Sequence, residues 1–198
     1  MHSRQAGFQL IEALVVLALI SLVALIAAPN LIDLSARARV SLTAHDVARV
    51  MHSARSYAIR YSANVAVKFR LQDDGAITFT LYLDGDGDGV RNSDIESGRD
   101  PQVAPPRRLR DAGNPVRFGF PPEVEPSHPS DPHRKLDHLE DPIRFNGSDL
   151  ASFTAIGGAT PGTVYLTDGR RELMAVRVQG LTGKITIVRY DRQTDTWK

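Results

Sequence analysis

A run of acidic residues alternating with glycines is the segment of this sequence best suited to chemistry. It reads DGDGDGV over residues 84–90, and two further acids follow within six residues. Carboxylates at alternate positions before a glycine match the first half of an EF-hand-type calcium loop, in which side-chain oxygens and one backbone carbonyl bind the ion. The expected Ca²⁺ ligands are Asp84, Asp86, Asp88, the carbonyl of Val90, and either Asp94 or Glu96.

The second half of this acidic segment departs from the calcium-loop pattern. Ile95 occupies the last ligand position, where an EF-hand needs glutamate. From Asp84 to Asp100 the chain carries six acids and two arginines, a net charge of −4. Packing so many like charges closely without a counterion is unfavourable. The alternative is a glycine-rich acidic hairpin loop that stays in water. If the ion binds, protein oxygens should close the site, so we expect its role to be structural.

No other residue set indicates catalysis. The chain has no cysteine, which excludes disulfides and thiolate sites, and it contains neither a phosphate-binding glycine loop nor a G-x-S-x-G motif. His128, His133 and His138 lie five residues apart in a proline-rich segment, a spacing that does not suit one helix face, so they are expected to be exposed loop residues. The net charge of +1 selects no acidic or nucleic-acid partner for the whole chain. The sequence therefore does not predict an enzyme.

The N-terminal region is strongly apolar. Residues 8–32 carry one charge, Glu12, in an otherwise mostly apolar or small stretch. A helix needs about 20 residues to cross a bilayer, so we expect a single membrane-spanning helix over 8–32. A cleaved secretory signal is disfavoured, because its apolar run is usually only about 7–15 residues long and has no reason to contain an acid. A carboxylate in hydrocarbon is costly, and it is normally paired or functional.

The first twelve residues combine three features in the sequence MHSRQAGFQLIE. A short polar leader ends at Gly7, an aromatic Phe8 follows, and Glu12 comes five residues after the glycine. This arrangement resembles the prepilin motif of type IV pilins and type II secretion pseudopilins, with Gln9 where the family usually has Thr or Ser. The resemblance implies that residues 1–7 form a leader and that prepilin peptidase cuts between Gly7 and Phe8 and methylates the new amine. It also implies that Glu12 meets the N-terminal amine of a neighbouring subunit during filament assembly.

An amphipathic helix is expected after the apolar run. Over residues 33–61, apolar side chains such as Leu34, Leu42 and Val47 recur mostly at spacings of three and four. One helix is therefore predicted over about 8–61, and its second half should lie against a sheet.

The rest of the chain, residues 63–198, is predicted to be rich in β-structure. Alternating patterns predict a hairpin of Val65–Leu71 and Ile77–Leu83 around the Asp74-Gly75 turn. A helix with antiparallel hairpins indicates an α+β fold. The other predicted segments are a three-stranded meander over 163–167, 173–178 and 184–190, short strands at 117–120 and 143–145, and mostly loop over 101–142.

The C-terminal strands add a second resemblance. The segments TVYLTD from Thr163 and VRVQGLTGK from Val176 look like the C-terminal pattern of the GspH/FimT group of minor pilins, which often has Gly-Arg where this chain has Gly183-Lys184. The resemblance implies a structural subunit of a type IV pilus or type II secretion pseudopilus. Its partners would be other pilins, prepilin peptidase and the inner-membrane assembly platform. The chain would sit in the bacterial inner membrane, with residues 33–198 in the periplasm.

A DNA-binding minor pilin for DNA uptake is the alternative function. Some members of the group capture DNA through basic residues near the C-terminus, and Thr163–Lys198 carries seven basic residues against four acids, a net charge of +3. So small an excess is also expected for a solvated strand face. The candidate nucleic-acid residues are Arg170, Arg171, Lys184 and Arg189.

Overall fold

The computed structural model describes residues 10–72, 77–110 and 115–198, so the expected Asp74-Gly75 turn lies outside the described residues. These ranges contain two helices, α1 (Leu10–Tyr61) and α2 (Asn92–Ser97). Their strands are β1 (Val65–Leu71), β2 (Ile77–Leu83), β3 (Arg107–Arg110), β4 (Arg117–Phe118), β5 (Ser127–His128), β6 (Asp131–Lys135), β7 (Ile143–Arg144), β8 (Leu150–Phe153), β9 (Gly162–Thr167), β10 (Leu173–Val178), β11 (Ile185–Asp191) and β12 (Thr196–Trp197). The predicted α+β class is confirmed.

The chain divides into two compact units, Met1–Ala38 and Arg39–Lys198. In the first unit, the described residues belong to α1, and the large aliphatic side chains from Leu10 to Leu25 are all exposed, from 44% at Val16 to 82% at Leu10. Hydropathy across the described ranges identifies no helix that is long and apolar enough to cross a membrane. The span over 8–32 stays a prediction.

The second unit contains the sheets. A four-stranded sheet has the order β3-β2-β1-β8, and a six-stranded sheet has the order β12-β11-β10-β9-β4, with β7 also pairing with β9. Strands β5 and β6 form a separate two-stranded sheet. Each pairing among the described residues is antiparallel, which is the arrangement expected of chains linked by hairpins.

The second half of α1 packs into a core shared with both large sheets. One apolar stripe at spacings of three and four faces this core, and its buried members are Val40, Ala44, Val47, Met51, Ala54 and Ala58. Leu34 and Leu42, predicted to lie on the buried face, are instead 61% and 59% exposed. At about 100° per residue, Leu42 lies about 140° around the helix axis from Val47, so it cannot share that residue's face.

Strands β9 and β10 are buried on both faces. Val164 and Leu166 of β9 point into the core beneath α1, whereas Tyr165 between them belongs to a second apolar cluster with Val124 and Leu136. Trp197 packs on the same side, its ring 5.9 Å from that of Tyr165. The segment before β7 and the C-terminal residues therefore form an outer layer over the second sheet.

Part of the segment predicted as loop is structured. Strands β3, β4, β5 and β6 lie within residues 101–142, and all five residues of β6 are exposed. Strand β8 was not predicted, although it pairs with β1 from Val65↔Phe153 to Lys68↔Leu150. Strands β3, β4 and β8 pair with strands far away in the chain, whereas β5 and β6 pair with each other. Strands this short show little alternation of apolar and polar side chains for the sequence to reveal.

Close backbone contact at Gly162 joins β7 to β9. A Cβ atom at this position would lie 2.1 Å from Cδ1 of Phe145 and 2.4 Å from the carbonyl oxygen of Arg144. Phe145 is fully buried, so its ring has little room to move. Glycine is required here by packing between neighbouring strands.

We predict that Gly162→Ala lowers the free energy of unfolding by about 1–3 kcal/mol, the usual cost of overpacking a core. Urea unfolding of the full chain in detergent, followed through the emission of Trp197, the single tryptophan, measures this loss. Gly180→Ala is the matched control and should cost less, because its Cβ would lie 3.3 Å from Cδ of Pro161, against 2.1 Å from Phe145 for the Gly162 variant. Equal midpoints for the Gly162 variant and the wild type would contradict the proposed contact.

Candidate functional site

The acidic segment lies directly after β2 and covers the outer face of the first sheet. Val90 is buried in a cluster with Ala66, Tyr82 and Leu150, and Ile95 packs against it. These contacts anchor the middle of the segment, so its carboxylates are held on an ordered loop.

Asp84 is the buried carboxylate at the start of this loop. Its Oδ1 accepts a hydrogen bond from the amide of Gly87 at 2.8 Å. Its Oδ2 accepts from Nδ2 of Asn64 at 2.7 Å and from the amide of Gly89 at 3.0 Å. Burial alone would raise the pKa of Asp84, but these donors outweigh it and hold the pKa below its usual value. Asp84 is therefore a negative charge at neutral pH.

Asp86 and Asp88 bring two exposed carboxylates to Asp84. The three residues can each offer an oxygen within 4.8 Å of the others. Partial desolvation and the neighbouring Asp86 raise the pKa of Asp88 above its usual value, as expected where like charges crowd together. The alternating spacing thus places the first three predicted calcium ligands in one cluster, and a cation there would relieve their repulsion.

Two arginines supply positive charge around this cluster. Nη1 of Arg91 lies 2.5 Å from Oδ2 of Asp88. Nη1 of Arg99 lies 3.7 Å from Oδ2 of Asp86 and 3.0 Å from Oδ1 of Asp94. A bound metal ion would have to compete with these guanidinium groups for the same carboxylates.

The second half of the predicted ligand shell is arranged differently. Asp94 and Glu96 lie on the short helix α2, and neither belongs to the cluster of three carboxylates. The buried Asp94 carboxylate pairs with Arg99, while Glu96 is exposed. The Asp94 carboxylate is therefore engaged by Arg99 rather than by the three clustered carboxylates.

Asp100 closes the base of the loop, and sequence reasoning missed it. It is 1% exposed, and its carboxylate accepts hydrogen bonds from the amides of Gly85 at 3.0 Å and Arg91 at 2.9 Å. The bonds span many residues along the chain, so no local spacing rule could have identified this role. The donor set as a whole fits a hard cation through three carboxylates, without the predicted contribution of α2.

The predicted processing residues Gly7 and Phe8 lie outside the described residues. Glu12 is in the first turn of α1 and is exposed. A carboxylate in the first turn is favourable for the helix macrodipole, which is positive at its N-terminal end.

The predicted nucleic-acid residues do not form one patch. Arg170 and Arg171 lie in the turn before β10, where both amides donate to Oδ1 of Asp168, and Lys184 lies after the opposite end of β10. The guanidinium of Arg189 donates two hydrogen bonds to Glu172, at 3.0 Å and 3.2 Å. The basic side chains of this region thus lie at two opposite ends of β10, and Glu172 neutralises the charge of Arg189.

Two family models match this chain. The prokaryotic N-terminal methylation motif matches residues 2–28, and the model of the type II transport protein GspH matches residues 43–182, which is well over half of the chain. No curated protein and no solved structure matches it. Both families describe pilin-type structural subunits, and neither description supports the DNA-binding alternative. The chain belongs to the GspH family of type II transport proteins.

Proposed function

We propose that this chain is a minor subunit that helps to start or cap the filament of a type II secretion pseudopilus or type IV pilus. The exposed aliphatic half of α1 carries this proposal. A helix that is apolar around its whole circumference is stable only when lipid or other protein covers it. In a filament, the same half-helix would pack among the helices of neighbouring subunits.

The second half of α1 has a different role from the first half. From Val40 to Ala58, one face of the helix is buried in the core of the second unit. The second unit would then present its outer surfaces for lateral contacts with other pilins. Before assembly, residues 8–32 would hold the chain in the inner membrane, with the second unit in the periplasm.

Processing would precede assembly. We propose that prepilin peptidase cuts between Gly7 and Phe8 and methylates the new amine, and that the assembly platform then draws the subunit out of the membrane. The match of residues 2–28 to the methylation motif supports this step. Glu12, in the first turn of α1, would pair with the N-terminal amine of a neighbouring subunit, since a carboxylate in an apolar surrounding requires a partner.

Processing can be tested at the cleavage glycine. In cells that contain prepilin peptidase, the wild-type chain should begin at a methylated Phe8, whereas Gly7→Val should retain the leader, because a branched side chain would obstruct the peptidase. Intact mass and N-terminal sequencing measure both. Ala6→Val is the control and should still be cleaved. A wild-type chain that begins anywhere other than Phe8 would contradict the assignment.

We also propose that the acidic loop binds one structural Ca²⁺ through Asp84, Asp86 and Asp88. The Val90 carbonyl and either Asp94 or Glu96 would complete the ligand shell, although neither of these two carboxylates belongs to the cluster of three. The clustering of three carboxylate oxygens within 4.8 Å supports the proposal, as does the preference of calcium for hard oxygen donors. When bound, the ion would neutralise the crowded carboxylates, which Arg91 and Arg99 neutralise in part without it.

Calcium should raise the thermal stability of the full chain in detergent. An ion present at about a hundredfold excess over its Kd stabilises the folded state by about 2.7 kcal/mol, which corresponds to about 5–10 °C in Tm for a domain of this size. Calorimetry with calcium and with chelator measures the difference.

Asp86→Asn combined with Asp88→Asn should remove the calcium dependence of Tm and leave cleavage at Gly7 unchanged. Asp131→Asn with Asp137→Asn, two exposed aspartates elsewhere, should keep it. Identical Tm values of the metal-free wild type with and without added calcium would contradict the calcium proposal and favour an acidic loop that stays in water without a metal ion.

A further inference from the structure

A pocket of about 630 Å³ lies in the layer that covers the outer face of the second sheet. The chain before β5 lines one side of it, and the end of β6 with the residues that follow lines the other. Its floor is apolar, because Val124 belongs to the buried cluster around Tyr165, and Phe120 and Leu139 pack against that cluster. We call it the outer pocket.

The rim of the outer pocket carries two glutamates and one lysine, Glu123, Glu125 and Lys135. Nζ of Lys135 already donates to Oδ2 of Asp195 at 2.7 Å and to the backbone carbonyl of Glu125 at 2.9 Å. Within the part of the chain that the structure describes, the carboxylates of Glu123 and Glu125 have neither an ion pair nor a hydrogen bond. With Asp195 counted beside its lysine, the rim has a net charge of −2.

A second cation close to the floor is also held inside the fold. The guanidinium carbon of Arg144 lies 5.7 Å from the centre of the Phe120 ring. Its Nε donates to the backbone carbonyl of Asp141 at 2.8 Å, and its Nη1 lies 3.4 Å from Oδ1 of Asp137. Lys135 and Arg144 are therefore both engaged by other groups, and neither neutralises the two glutamates.

Glu123 occupies a strained backbone position at this rim. Its φ is 59°, and Pro122 precedes it in a turn. A turn position that follows proline and has a positive φ is one that glycine adopts most readily. Glutamate at this position costs free energy that glycine would not, so the stability of the turn does not account for the carboxylate that it places at the pocket.

We propose that the outer pocket binds a basic segment of a partner protein. Lysine or arginine side chains of the segment pair with Glu123 and Glu125, and its apolar side chains contact Phe120 and Leu139. The charged residues of the rim are exposed, so a small amine bound there would keep much of its surface in water, unlike a ligand in an enclosed site. An extended segment can reach both the glutamates and the apolar floor. Nucleic acids and anionic lipids would be repelled by the same carboxylates.

The test uses the full chain in nonionic detergent and a peptide of alternating lysine and leucine that carries an uncharged fluorophore, followed by fluorescence anisotropy. Detergent without protein is the blank. We expect a Kd below about 1 mM, weakened about tenfold or more in Glu123→Gln with Glu125→Gln because two charge-assisted contacts are lost. Glu96→Gln with Glu140→Gln removes the same charge from two exposed positions outside the lining and should leave binding unchanged. The urea midpoint shows that each variant is folded.

The variant Glu123→Gly separates binding from stability. Glycine relieves the strain at this position, so the urea midpoint should be at least as high as that of the wild type. Peptide binding should nevertheless weaken, because one of the two carboxylates is lost. A glycine variant that binds the peptide as tightly as the wild type would contradict the role of Glu123.

A second peptide separates the pocket from a general attraction between charges. Alternating lysine and serine keep the charge but provide no apolar side chain for Phe120 and Leu139, so this peptide should bind about fivefold more weakly or worse. Equal binding of the two peptides, equal loss in the two double variants, or no wild-type binding above the blank would overturn the proposal.

Discussion

The structure depends on the contact between one narrow face of α1 and the two large sheets. Alanines at positions 44, 48, 54 and 58 are buried there beside Val47 and Met51. These side chains share one cluster with Val65 and Val67 of the first sheet and Val164 and Val176 of the second, and close packing of this kind favours a single register of helix against sheet. From Leu10 to Leu25 of the same helix, the large aliphatic side chains are exposed. Among the described residues, burial in the core therefore involves only the second half of α1.

The outer faces of both sheets are covered by loop segments and short strands. The acidic loop anchors itself over the first sheet through Val90. Over the second sheet, Nε1 of Trp197 donates to the carbonyl of Ser127 at 2.7 Å. Asp195 accepts from Tyr190 at 2.7 Å and from Lys135 at 2.7 Å. Hydrogen bonds thus add to apolar packing in the layer over the second sheet, and the segment over the first sheet carries the candidate calcium ligands.

Local periodicity was sufficient to predict the elements that form the core. The end of α1 at Tyr61 and the bounds of β1 and β2 agree with the predicted ones, because the spacing of apolar residues in these segments shows the helical or alternating pattern directly. Strands β3 and β8 were beyond such reasoning, since their existence depends on partners far away in the chain. The cluster of Asp84, Asp86 and Asp88 followed from spacing. The closure by Asp100 and the ion pair of Asp94 with Arg99 required the fold itself.

If other filament subunits cover the exposed aliphatic side chains of α1, as we propose, photocross-linking in cells should capture these subunits. A photoreactive amino acid at Leu17, which is 61% exposed, should form adducts with pilin subunits in assembling cells. At Ser56, on the exposed side of the second half of α1, adducts with the helices of other subunits should be absent. The Leu17 adducts should vanish in cells lacking the assembly platform. No pilin adduct at Leu17, or an equal yield without the platform, would contradict it.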